Sequence, residues 1–169
     1  MKKKLILVVE DEPDIRLFFE LVLREAGFEV VTAGNGIEAL ERLRENTPDL
    51  ISLDLVMPKK SGARFFYEMR KNREWAWIPV LVVTAHARDD LGVKDITRLT
   101  DTRMLSGRGI YLEKPVTPVR YVNCVRKMLH IPIPEEKDDP VYLKSKVFEM
   151  LQKADVDVLK QIILLLEKP

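Results

Sequence analysis

The chain has 169 residues, enough for one domain of common size with a short appendage. Hydrophobic residues make up 46% and charged residues 33%, the proportions of a soluble globular protein. Lysine and arginine (28) nearly balance aspartate and glutamate (27), which argues against the basic footprint of a nucleic-acid binder, and no apolar run is long enough to span a bilayer.

Lys2-Lys3-Lys4 reads as a solvated strand edge. Leu5–Val9 is a continuous apolar run, as expected of a strand buried on both faces of a parallel sheet. It is too short, and meets acids too directly, for a signal peptide. Glu10-Asp11-Glu12 follow it. Pro13 then suits the first position of a helix, with Ile15, Phe18, Leu21, Val22 and Ala26 at helical spacing and Gly27 as its stop. Phe28–Thr32 reads as a second strand. After Gly34-Asn35-Gly36, the residues Ile37, Ala39, Leu40 and Leu43 form a second helical stripe.

The turn Thr47-Pro48-Asp49 leads into a third strand that ends on Asp54, ahead of Met57-Pro58. Lys59–Gly62 is expected as a polar loop. Phe65, Phe66 and Met69 mark a third helix ending near Asn72. Trp75 and Trp77 are expected to cover the end of the sheet. Val80–Val83 reads as strand four, ending at Thr84-Ala85. Arg88 to Ser106 fits an amphipathic helix with a weak point at Gly92. Gly107-Arg108-Gly109 separates it from strand five, Ile110–Leu112, which precedes Glu113-Lys114-Pro115. Thr117 and Pro118 open a further helix with Val119, Val122, Val125, Met128 and Leu129 along one face.

Five strands alternating with helices predict an α/β fold, a doubly wound parallel sheet. Residues 131–140, rich in proline and charge, read as a stiff linker. Two C-terminal helices follow, over about Val141–Lys153 and Asp155–Glu167. Ile162–Leu166 is too apolar to stay exposed in a monomer, so the tail either folds back on its own domain or, as the favoured reading, dimerises or docks on a partner. The lone Cys124 excludes an intrachain disulfide and suits a reducing cytoplasm.

Four polar features fall at strand C-termini: Glu10/Asp11, Asp54, Thr84 and Lys114. In the strand order 2-1-3-4-5, strands one and three meet at the topological switch point, where open α/β sheets bind ligands. Carboxylates gathered there repel one another unless a cation sits among them, and an all-oxygen set favours Mg²⁺. Negative charge at a helix N-terminus explains Glu12, but it does not explain the other groups at the same edge. A carboxylate beside such an ion can attack phosphorus, with Lys114 as a point-charge phosphate binder and the Thr84 hydroxyl as a donor. Ala85 is small enough to leave the approach open.

The set Glu10-Asp11, Asp54 with Met57-Pro58 and Gly62, Thr84-Ala85, and Lys114-Pro115 resembles the receiver domains of two-component response regulators, over about residues 3–130. The resemblance implies a flavodoxin-like receiver over 1–130, a linker over 131–140 and a helical extension over 141–169. It implies that Asp54 is the phosphoacceptor. Glu10, Asp11, Asp54 and the backbone carbonyl of Val56 would hold Mg²⁺, while Thr84, Ala85 and Lys114 would meet the phosphoryl group. Thr84 and Tyr111 would form the switch, and the Lys114–Pro115 peptide would be cis. The implied partners are a histidine kinase or histidine phosphotransfer protein and a downstream protein. A homodimer would form through the C-terminal helices or the Arg88–Ser106 region. Nucleic acid and membrane are not expected, and the expected location is the cytoplasm.

Two features depart from the family pattern. The span from Thr84 to Lys114 is longer than usual. The tail is too short for most DNA-binding output domains, and its six lysines against eight acids disfavour phosphate-backbone binding. Two other readings exist. A Mg²⁺-dependent phosphohydrolase with an aspartate nucleophile generally needs a second acid two residues on, where this chain has Val56. An adaptor that never takes phosphate has no use for the complete acidic set.

Overall fold

The computed structural model describes residues 3–57, 61–85 and 110–167. Pro58, the helix expected over Arg88–Ser106 and the Gly107–Gly109 break lie outside the described residues. The chain divides into two compact units, Met1–Ile133 and Pro134–Pro169.

The first unit is a five-stranded parallel sheet in the order β2-β1-β3-β4-β5. Its strands are β1 (Leu5–Val9), β2 (Glu29–Ala33), β3 (Leu50–Leu53), β4 (Val80–Thr84) and β5 (Ile110–Glu113). Helices α1 (Pro13–Glu25), α2 (Gly36–Glu45), α3 (Gly62–Lys71) and α4 (Pro118–Met128) belong to the same unit. β3 and β4 are buried throughout, and β1 is buried from Ile6 onward. Helices on both faces make that burial necessary, and the unbroken Val/Ile/Leu runs satisfy it.

One core packs Leu7, Val9, Ile51 and Leu53 of the sheet with Leu40 and Leu43 of α2 and with Phe65, Phe66 and Met69 of α3. Elsewhere in the unit, Phe19 of α1 stacks on Tyr121 of α4, with ring centroids 4.4 Å apart.

Local chemistry sets the element ends. α1 stops in a Schellman motif: Gly27 takes φ +93°, its N–H reaches the Arg24 carbonyl, and Phe28 N–H reaches the Leu23 carbonyl. Phe28 therefore closes the helix, and β2 begins one residue later than expected, at Glu29. β4 and β5 each run one residue further than expected, because Thr84 and Glu113 remain paired in the ladder. α3 begins within the expected loop: Ser61 accepts the Arg64 N–H at 3.3 Å, and Gly62 is already helical. Trp75 packs against the core as expected. Trp77 does not, being 66% exposed.

The second unit contains a 3₁₀ turn (Glu136–Asp138) and helices α5 (Pro140–Lys153) and α6 (Val156–Leu166). The turn interrupts the stretch expected to be linker. Asp139 caps α5 through the Val141 N–H at 3.1 Å, and Asp155 caps α6 through the N–H groups of Asp157 and Val158.

Candidate functional site: an acidic pocket at the C-terminal sheet edge

Register brings the polar residues together. Val9 pairs with Leu53, so the next residue on each strand, Glu10 and Asp54, emerges at the same edge. The ladder continues past the strand tips: Asp54 N–H donates to the Val9 carbonyl at 2.9 Å, and Glu10 N–H to Ala33 at 3.0 Å. On the other side Thr84 pairs with Glu113, and Lys114 N–H donates to the Thr84 carbonyl at 3.1 Å.

The Lys114 ammonium joins the two halves. Its Nζ lies 2.7 Å from Glu10 Oε2 and 2.7 Å from Asp54 Oδ2. The other Asp54 oxygen, Oδ1, accepts the Val56 N–H at 3.0 Å. Glu10 and Asp54 are buried. Burial pushes the Glu10 carboxyl up to about 7; Lys114 pulls it back only in part, and the charge on Asp54 adds to the rise. Burial alone would pull Lys114 down. Its hydrogen bonds and charge pairing with Asp54 and Glu10 outweigh that and hold it above its ordinary value.

Carboxylate oxygens of Glu10, Asp11 and Asp54 lie within 4.8 Å of one another. Glu10 Oε1 is buried with no hydrogen-bond partner among the described residues. An orphaned, buried carboxylate oxygen beside two further carboxylates fits a small divalent cation with hard oxygen preference, so the residues present suit Mg²⁺.

The remaining expected residues are placed as follows. Thr84 is buried at the end of β4, and Ala85, just beyond it, is exposed. Tyr111 lies on β5 opposite Val82 and is 37% exposed. Val56 is partly exposed beside Asp54. The Lys114–Pro115 peptide is cis.

Three further contacts support the pocket. Arg16, one turn into α1, donates from Nη1 to the backbone carbonyls of Glu10 (2.7 Å) and Asp11 (3.1 Å), tying down the acidic loop. Glu38 bonds the Gly34 N–H (2.8 Å) and the Asn35 amide (2.7 Å), while Asn35 caps α2, fixing the loop after β2. Gly62 packs on the backbone of the phosphoacceptor candidate: a Cβ there would overlap the Asp54 carbonyl oxygen and lie 2.8 Å from Leu55 Cα. Asparagine ahead of a glutamate three residues on is a readable capping signal. The reach of Arg16 back to its own loop has none.

A family model described as the response regulator receiver domain matches residues 6–126. The chain belongs to the response regulator receiver family. The receiver is 31% identical over 129 residues to the polar-differentiation response regulator DivK of Brucella anthropi, covering 76% of this chain and 98% of that protein. It is 34% identical over 127 residues to hybrid signal transduction histidine kinase D of Dictyostelium discoideum, covering 75% of this chain and 8% of the kinase. Among solved structures, Vibrio cholerae chemotaxis protein CheY4 superposes with a TM-score of 0.64 at 25% identity, over 75% of this chain and 99% of that one. A response regulator receiver domain protein from Clostridium thermocellum gives 0.62 at 29%, over 75% and 94%. The chain thus spans nearly all of DivK but a small part of the hybrid kinase, and about half of the ycf27 transcriptional regulators it also matches. Among the described residues, no helix is long and apolar enough to cross a membrane.

Proposed function

We propose that the chain is a phosphorylation-controlled switch of a two-component system, with Asp54 as the phosphoacceptor. The observation that carries this reading is the Lys114 ammonium, 2.7 Å from both Glu10 and Asp54, with Asp11 completing the carboxylate cluster.

In the proposed transfer, an Asp54 carboxylate oxygen attacks the phosphorus of a phosphohistidine on a kinase or phosphotransfer protein. The P–N bond breaks, the imidazole leaves and takes up a proton, and Asp54 becomes an acyl phosphate. Glu10, Asp11, Asp54 and the Val56 carbonyl would hold Mg²⁺, which neutralises charge on the phosphoryl oxygens when bound. Lys114 stays at Asp54 Oδ2 and stabilises the charge of the transferred group. Thr84, at the tip of the neighbouring strand, donates its hydroxyl to the phosphoryl, and the open position at Ala85 admits the donor. Movement of Thr84 and then Tyr111 biases a two-state equilibrium that a downstream protein reads.

The chain thus accepts phosphate once per cycle and is not a multiple-turnover enzyme. The receiver occupies 1–130, the linker 131–140 and the helical extension 141–169, and the lone Cys124 agrees with a cytoplasmic setting. Mg²⁺-dependent labelling by acetyl phosphate is expected for the wild type and for Asp49→Ala, and not for Asp54→Ala. Equal labelling of both variants would remove Asp54 from its role.

A further inference from the structure

Glu38 lies on the first turn of α2, outside the acidic cluster, yet it faces the residue that holds the acidic loop. Both of its carboxylate oxygens are fixed: Oε2 accepts the Gly34 N–H at 2.8 Å and Oε1 the Asn35 side-chain amide at 2.7 Å. The Arg16 guanidinium is fixed as well, since Nη1 donates to the Glu10 and Asp11 carbonyls at 2.7 and 3.1 Å. The two groups meet over Gly34. A Cβ there would stand 3.4 Å from Glu38 Oε2 and 3.5 Å from Arg16 Nη1. A residue with no side chain thus leaves the carboxylate and the guanidinium facing each other.

Capping alone does not ask for a charge at this position. Asn35 already caps α2 by accepting the Ile37 and Glu38 N–H groups, and a glutamine at 38 would serve the Gly34 N–H as well. What a carboxylate adds is negative charge opposite Arg16. A guanidinium on the carbonyls of Glu10 and Asp11 brings positive charge close to the cation that their side chains would hold, and Glu38 offsets it. The loop after β2 also leans directly on the acidic loop, because Glu10 N–H donates to the Ala33 carbonyl at 3.0 Å.

We propose that Glu38 is a positioning residue for the Mg²⁺ site and acts through Arg16. Its carboxylate holds the guanidinium against the backbone of Glu10 and Asp11 and offsets the guanidinium charge. This role depends on the Mg²⁺ site proposed for Glu10, Asp11 and Asp54. Groups that orient metal ligands from behind are commonly worth about 10-fold or more in affinity. Glu38 is exposed, so solvent screening limits its share to about threefold.

A double-mutant cycle on the full chain tests it, with calorimetric titration of Mg²⁺ alone and a urea melt for each variant. Glu38→Gln is expected to weaken Mg²⁺ binding about threefold at low salt and less at high salt, with the urea midpoint little changed. In the Arg16→Ala background the same substitution is expected to leave Mg²⁺ affinity unchanged. A Glu38→Gln protein that binds Mg²⁺ like the wild type overturns the proposal. So does an equal loss in both backgrounds, because Glu38 would then act through the α2 cap alone. Should Arg16→Ala bind too weakly to titrate, salt decides: a Glu38→Gln loss undiminished at high salt overturns the proposal. A wild type that binds no Mg²⁺ overturns this role and the metal site together, whereas Mg²⁺ binding indifferent to Glu38 overturns this role alone.

Discussion

Burial in the pocket moves Glu10 far from its chemistry in water. Its folded-state pKa is about 7 against an ordinary 4.5, so between those values the folded chain holds a proton that the unfolded chain releases. Its contribution to stability is therefore fully present below pH 4.5 and is lost as pH rises to about 7. Urea unfolding in EDTA is expected to show it by comparison: wild type minus Glu10→Gln becomes more unfavourable from pH 5 to pH 7.5. A difference that stays flat would mean that Glu10 ionises normally. Gly62 is a second such residue. Alanine at 62 would push the α3 terminus off the Asp54 backbone, at a cost of about 1–3 kcal/mol, and is expected to slow labelling of Asp54 more than a distant substitution of equal cost. Lys114→Ala would leave two buried carboxylates facing each other, and is expected to cost about 3–5 kcal/mol without a cation present. Added Mg²⁺ is expected to restore part of that stability, which a thermal melt with and without the ion would detect.

At the level of elements, the site comes from register. β1 and β3 pair so that their last residues leave the sheet together, and β4 and β5 do the same beside them. This was legible in the sequence because each strand is a short apolar run ending on one polar residue, and alternation with helices fixes the parallel order. Less legible were contacts made by long side chains to backbone. Arg16 reads as an ordinary exposed helix residue, since nothing in a 3.6-residue period marks a guanidinium that folds back to two carbonyls. Replacing it with alanine is expected to lower affinity for Mg²⁺ by about 10-fold, as loss of an orienting contact around a metal site typically does, with global stability little changed; calorimetric titration beside a urea melt separates the two. Gly62 was visible as part of a motif, but its reason was not, because a close approach between α3 and the strand end has no local signature. His130 is a milder case. It ends α4 in the left-handed region at φ 55°, where glycine is usual, with Ile131 N–H reaching the Arg126 carbonyl at 2.9 Å. His130→Gly is expected to stabilise the chain by up to about 1 kcal/mol, and no change in the urea midpoint would contradict that account of the cap.

At the scale of the molecule, the two units divide the chemistry. The first gathers three carboxylates and one amine at a sheet edge. The second presents apolar side chains on two exposed helices. Family likeness covers the first unit, matching residues 6–126, and stops short of the second. The central claim concerns Asp54, and site-resolved labelling tests it most directly. Incubation with acetyl phosphate and Mg²⁺, followed by mass spectrometry of the intact chain, is expected to add one phosphoryl group to the wild type and to Asp49→Ala, and none to Asp54→Ala. A phosphoryl group on Asp54→Ala at the wild-type rate would contradict the account.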